Sequence, residues 1–214
     1  MCTSTNPKNQ RTRPSVLVSH QGNHILVDTT PEFRIQSLQN NLQQIDAVLI
    51  THTHADHIFG MDDLRRFNDL ADAEIPVFGT ATVLDDIRRI FNYIFMPTQP
   101  GGGKPRLTLH ELEARFNLIG LSVKTLPVLH GRLPVMAFRF EDGISSFAYV
   151  TDVSQIPEDS MAQLYNLDLL ILDAVRFEPH PTHFGLYPSY ASSTPFGSWA
   201  FTASWSKACE RCVK

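Results

Sequence analysis

The chain has 214 residues, 43% of them hydrophobic and 19% charged, which suits one α/β domain with a substantial core, or such a domain plus a short appendage. Its net charge of -4, from 22 acidic and 18 basic side chains, gives no footprint for a nucleic acid or an anionic membrane. No apolar stretch reaches the roughly 20 residues that span a bilayer, and the polar start MCTSTNPKNQRTRP lacks a secretory pattern. With Cys2, Cys209 and Cys212 all near the chain ends, a reducing, cytoplasmic compartment is expected.

SVLVSHQGNHILVDTT reads as two short strands about a turn at Gly22. TPEFRIQSLQNN follows as a helix whose entry is expected to be capped, with Pro31 at its start and Glu32 three residues after Thr29. IDAVLIT is an almost continuous apolar run, the pattern of a strand buried on both faces. After the loop THTHADH, GMDDLRRFNDL reads as helical, IPVFGT as a strand and TATVLDDIRRIFNYIF as one long amphipathic helix. MPTQPGGGKPR is a Pro/Gly loop, expected to be mobile.

The second half is richer in strands: RLTLHEL, LSVKTLPVLH, VMAFRFED and SSFAYVTD, then the helix PEDSMAQLYN and the buried strand LDLLILDA. There is no internal repeat, and strand blocks alternating with helices predict stacked sheets with helices outside. Composition breaks near Leu186. From Tyr187 to Trp205 there is no charged residue, and both Trp199 and Trp205 fall in that stretch. We therefore expect one domain over 1–186 and a divergent, poorly ordered tail over 187–214.

THTHADH places three of the nine histidines and an aspartate within Thr51–His57. In an extended segment residues two apart project from one side, so His52 and His54 can grip one ion. Asp56 and His57 follow as the chain turns into the next helix and point elsewhere, so the loop can serve two ions. Imidazole and carboxylate suit zinc, manganese or iron, and the loop follows a buried strand, where α/β sheets place their chemistry. His130 and Asp152 also stand where apolar strands stop, and a carboxylate can bridge two cations. A strand-end aspartate is equally a common turn former.

Together T-H-T-H-A-D-H at 51–57, L-H-G at 129–131 and T-D at 151–152 resemble the metallo-β-lactamase superfamily. N-P-K-N-Q-R-T-R-P-S-V-L-V at 6–18, H-A-D-H-I-F-G-M-D-D-L-R at 54–65 and P-H-P-T-H-F at 179–184 resemble its phosphodiesterase branch. That branch includes the cyclic-phosphate phosphodiesterases of phosphonate breakdown and, further off, tRNase Z. The resemblance covers roughly residues 2–186 and implies an αββα sandwich, an α/β fold, with two divalent ions, zinc or manganese.

By the same resemblance His52, His54 and His130 would hold the first metal, Asp56 and His57 the second, and Asp152 would bridge. Asp56 and His183 are the catalytic candidates, His183 as the histidine that contacts the phosphate and protonates the leaving oxygen. His180 is expected only to shape its loop. Asp62 and Asp63 are either partners of the metal histidines or a solvated helix face, and His20, His24 and His110 lie on candidate surface strands with no role. At both ends the sequence departs from the family, lacking the first strand and, after His183, the terminal histidine of the second site. This motivates the expectation of an incomplete chain, or of a frame change near Leu186, with a weakened second site and lowered activity. The lone C-E-R-C at 209–212 has no partner cysteines.

The expected function is that of a metal-dependent hydrolase, a phosphodiesterase acting on a small, even cyclic, phosphodiester through a metal-bridging hydroxide. Its partner is the small-molecule substrate, with a membrane excluded, a long nucleic acid disfavoured by the charge and a homodimer left open. The alternatives are a non-catalytic metal-binding remnant and a hydrolase of ester, thioester or lactam substrates.

Overall fold

The structure, a computed structural model, describes residues 3–6, 11–97, 103–175, 178 and 180–185. The expected tail over 187–214, all three cysteines and positions 98–102 of the Pro/Gly loop lie outside the described residues. The chain divides into two compact units, one of Thr12–Glu113 and one of Ala114–Lys214 with Met1–Arg11. Each is built on a five-stranded sheet.

In the Thr12–Glu113 unit the strands run β1 (Val16–His20), β2 (Asn23–Val27), β3 (Ala47–Leu49), β4 (Ile75–Gly79) and β5 (Leu107–Glu111), in that spatial order. The β1–β2 pair is antiparallel and every later pairing is parallel. The hairpin turns through Gln21 and Gly22 at φ 49° and 81°, left-handed values that a glycine adopts without strain. β3 is buried at every position, as a central parallel strand must be. Its Val48, with Ile50, Ile58, Met61, Leu64 and Ile87 from the surrounding segments, fills the core of this unit.

The helices are α1 (Phe33–Gln39), α2 (Ala55–Ile58), α3 (Arg65–Ala71), α4 (Ala81–Ile90) and α5 (Asn92–Phe95), with a 3-10 turn over Met61–Leu64 leading into α3. Two expectations are corrected here. No side chain caps α1; the Thr29 hydroxyl donates instead to the carbonyl of Ile58 at 3.2 Å, because the strand-end loop claims it for the site. The long helix over 80–95 breaks at Phe91, whose φ of -107° and ψ of 40° interrupt the ladder. Thr80 caps α4, its hydroxyl accepting the Val83 N–H at 3.3 Å.

The second unit carries β6 (Arg115–Leu118), β7 (Leu121–His130), β8 (Leu133–Glu141), β9 (Ser146–Val150), α6 (Glu158–Ala162) and β10 (Leu169–Leu172), with sheet order β10-β9-β8-β7-β6. β6 was missed in the sequence. It is a four-residue edge strand, exposed at alternate positions and too short to carry a period. β7 tolerates Pro127 because β6 pairs only with Leu121–Lys124, so the missing N–H lies on the unpaired side of the strand.

The topology gathers strand ends. β2 and β3 are parallel neighbours, so Asp28 and Thr51 follow adjacent carboxyl ends. β9 and β10 are also parallel, and β7 and β9 are each antiparallel to β8. His130 therefore ends, and Asp152 and Asp173 follow, three strands that terminate at one edge of their sheet.

Candidate metal centre

In the Thr12–Glu113 unit the histidine loop is organised by a buried residue that the sequence reading passed over. Asp28, fully buried just after β2, takes a left-handed φ of 63°, which aspartate tolerates better than most residues. Its carboxylate accepts the Thr51 N–H and the Thr51 hydroxyl, both at 2.8 Å. Oδ2 also lies 2.7 Å from Nδ1 of His57, and a carboxylate can only accept. His57 therefore carries its proton on Nδ1 and presents the Nε2 lone pair.

The same logic fixes His52. The Thr51 hydroxyl spends its proton on Asp28, so it accepts from His52 Nδ1, 3.0 Å away, which leaves the lone pair on Nε2. That Nε2 lies 3.0 Å from Nδ1 of His54, so two imidazole nitrogens face one another as donors of a shared ion would. Asp56, whose side chain is 49% exposed, stands 3.7 Å from His57 Nε2. Beneath the loop, a Cβ on Gly60 would come within 2.0 Å of the Thr30 carbonyl oxygen, so only glycine lets the chain pass.

In the second unit Asp152 follows β9 with a left-handed φ of 48°, and its Oδ2 accepts from the Thr151 hydroxyl at 2.7 Å. His130 Nδ1 lies 2.6 Å from the Thr182 carbonyl, to which it must donate, leaving Nε2 as its donor atom. Gly131, at φ 63°, allows this approach, since a Cβ there would stand 3.1 Å from Thr182 Cγ2. His183 Nδ1 lies 2.7 Å from Asp173 Oδ2 and 3.8 Å from Asp152 Oδ1. His130, Asp152 and His183 each offer a ligand atom within 4.8 Å of the others, close enough to hold an ion.

Each unit thus assembles its own candidates. His52, His54, Asp56 and His57 converge in one, and His130, Asp152 and His183 in the other. His180 stays in its loop, where its Nδ1 is 3.4 Å from the Thr182 N–H as acceptor. Asp62 does not support the metal histidines; it accepts the Tyr93 hydroxyl at 2.7 Å. Burial first, then Asp62, push the Tyr93 phenol well above its ordinary range, so Tyr93 stays a neutral donor. Asp28 and Asp173 were missed, although each follows an apolar strand as Asp152 does and that rule would have found them.

Strand-end imidazoles and carboxylates on two mixed sheets are a donor arrangement of the kind that metal-dependent α/β proteins use. The chain belongs to the β-lactamase superfamily domain family, whose model matches residues 23–193. A solved diphosphatase from the PhnP family is 38% identical with a TM-score of 0.78, covering 88% of this chain and 70% of that one. An octanoyltransferase from Porphyromonas gingivalis is 35% identical over 187 residues, 86% of this chain and 37% of that protein. A ribonuclease Z from Methanopyrus kandleri is 25% identical over 154 residues, 71% of this chain and 48% of that protein. The chain therefore spans less than half the length of these two curated relatives. The fold is the expected α/β one, with the two mixed sheets of metallo-β-lactamase neighbours, and the PhnP-family diphosphatase and the ribonuclease Z fall in the branch that the motifs resembled. The family implies divalent metal ions, and the donor sets fit them. No helix among the described residues is long and apolar enough to cross a membrane.

Proposed function

We propose that the chain is a metal-dependent phosphodiesterase acting on a small, cyclic or linear, phosphodiester. His52, His54 and His130 would hold one divalent ion, zinc or manganese, Asp56 and His57 a second, and Asp152 would serve both. When bound, such ions polarise the phosphoryl group and activate water near neutral pH. The chain's own residues supply the rest. Asp28, Thr51 and Thr182 fix which nitrogen of His57, His52 and His130 is a donor, and Asp173 holds His183 by Nδ1 so that its Nε2 can give a proton to the leaving oxygen.

The observation that carries this reading is the 2.7 Å contact of His183 with Asp173 beside Asp152, which orients a proton donor for the poorly leaving alkoxide of an alkyl phosphodiester. The diphosphatase and the ribonuclease Z among the relatives support it. Turnover of bis-p-nitrophenyl phosphate with zinc or manganese, abolished in His54→Ala, is the expected result; no turnover with either metal overturns the proposal.

A second reading, hydrolysis of an acyl substrate, rests on the relative named an octanoyltransferase. Cleavage of a thioester or of nitrocefin, without cleavage of the phosphodiester, would favour it.

A further inference from the structure

His52, Thr53 and His54 follow β3 in no regular secondary structure, and α2 begins only at Ala55. No sheet or helix ladder therefore sets the path between the two facing histidines. The stretch is nevertheless pinned on both sides of His52. Before it, the Ile50 N–H is bonded to the Phe78 carbonyl of β4 at 2.9 Å, and Thr51 is bonded to Asp28. After it, the Thr53 hydroxyl donates to Asp86 Oδ2 at 2.9 Å. His54 is extended, with φ -62° and ψ 147°, and side chains alternate along such backbone. His52 and His54 project one way and face one another at 3.0 Å, while Thr53 projects the other way and reaches α4.

α4 is a firm support. Thr80 caps it, and its Val83, Leu84 and Ile87 are buried. A Cβ on Gly79, at the end of β4, would stand 2.7 Å from Val83 Cγ1, so strand and helix lie in close contact. The second oxygen of Asp86, Oδ1, accepts from Arg89 at 2.6 Å. Arg89 is 77% exposed, so this pair adds little stability, but it turns the carboxylate so that Oδ2 meets Thr53. Each histidine is one peptide unit from Thr53, about 3.8 Å between Cα atoms, so a tether at Thr53 limits the movement of both.

We propose that Asp86 is a positioning residue for the candidate metal loop: through Thr53 it holds His52 and His54 at the separation at which their nitrogens share one ion. The inference rests on the reading of these histidines as metal ligands. A carboxylate also attracts a nearby cation without any tether. Thr53→Val separates the two effects, because it keeps the charge of Asp86 and the shape of Thr53 and removes only the hydroxyl.

The test uses zinc affinity, read by competition with a chromophoric chelator, and the visible d–d bands of the cobalt(II)-loaded protein, which report the geometry of the ligands. Thr53→Val and Asp86→Ala should each weaken zinc about tenfold or more, as loss of a ligand-orienting partner does, and should alter the cobalt bands. The double variant should bind no more weakly than Asp86→Ala, since both changes remove one bond. Thr53→Ser, which keeps the hydroxyl, should retain affinity and spectrum. Asp85→Ala breaks the neighbouring Asp85–Arg88 pair of the same helix and should leave both unchanged. Unaltered affinity and bands in Thr53→Val, strictly additive losses, or an equal loss in Asp85→Ala overturn the tether while zinc binding by the unmodified protein preserves the metal reading. A lowered melting midpoint of metal-free Thr53→Val with an unchanged cobalt spectrum makes the bond merely structural and also overturns it. An unmodified protein that binds neither zinc nor cobalt sinks the metal reading and the tether with it.

Discussion

Asp28 and His57 lie 29 residues apart in sequence and meet through a 2.7 Å contact between Oδ2 and Nδ1, both fully buried. One carboxylate thereby sets the proton position on His57 directly and, through Thr51, on His52. Asp28→Asn keeps the shape and tolerates the left-handed backbone, but its amide cannot accept all three bonds. Metal affinity, read by competition with a chromophoric chelator, should fall about 10–100-fold. Unchanged affinity would show that the histidines need no such orientation.

His183→Ala separates leaving-group protonation from metal binding. With an alkyl leaving group, kcat should drop about 10²–10⁴-fold. With p-nitrophenolate, which leaves without a proton, the loss should be much smaller. Asp173→Asn should follow the same pattern more weakly, with KM little changed. Equal losses on both substrates would remove His183 from the role of proton donor.

Removing divalent metal should lower the melting temperature, because ligands that bind only the folded chain stabilise it, by about 2.7 kcal/mol at a hundredfold excess over Kd. Zinc or manganese should restore the midpoint. A midpoint indifferent to chelation and to added metal counts against any tightly held ion.

Gly60→Ala puts a methyl group where the Thr30 carbonyl oxygen stands. The backbone on both sides is hydrogen-bonded, so the clash has no flexible side chain to absorb it. A cost of about 1–3 kcal/mol or more is expected, together with weakened metal binding, because His57 moves with Gly60. Denaturant unfolding and metal titration measure the two effects.

Glu141 ties the second sheet together through Arg139 at 2.7 Å and Lys124 at 3.4 Å. Burial alone would raise its pKa, but these cations outweigh burial and lower it. A depressed carboxyl contributes stability above its unfolded pKa and loses it as pH falls through the folded value. Glu141→Gln should therefore be less stable by about 1–2 kcal/mol at pH 7, and the difference should shrink as pH falls below the unfolded glutamate value of about 4.3. A difference independent of pH would deny the ion pairs their part.

Hydrophobic pattern sufficed for nine of the ten strands among the described residues, because burial imposes a period on neighbouring residues, and the candidate histidine loop was legible because its imidazoles and carboxylate fall within seven positions. The tenth, β6, covers too few residues to show a period. The kink at Phe91 and the absent cap of α1 followed from contacts with distant segments, which no local window contains. The partners of the strand-end carboxylates were beyond local reach. Asp28, Asp152 and Asp173 each follow an apolar strand in the same way, and strand order alone sends Asp28 beneath His57 and Asp173 to His183, while a helix break gives Asp62 to Tyr93. Donor type and spacing are properties of short segments; which partner holds each donor's proton depends on which strand ends become neighbours.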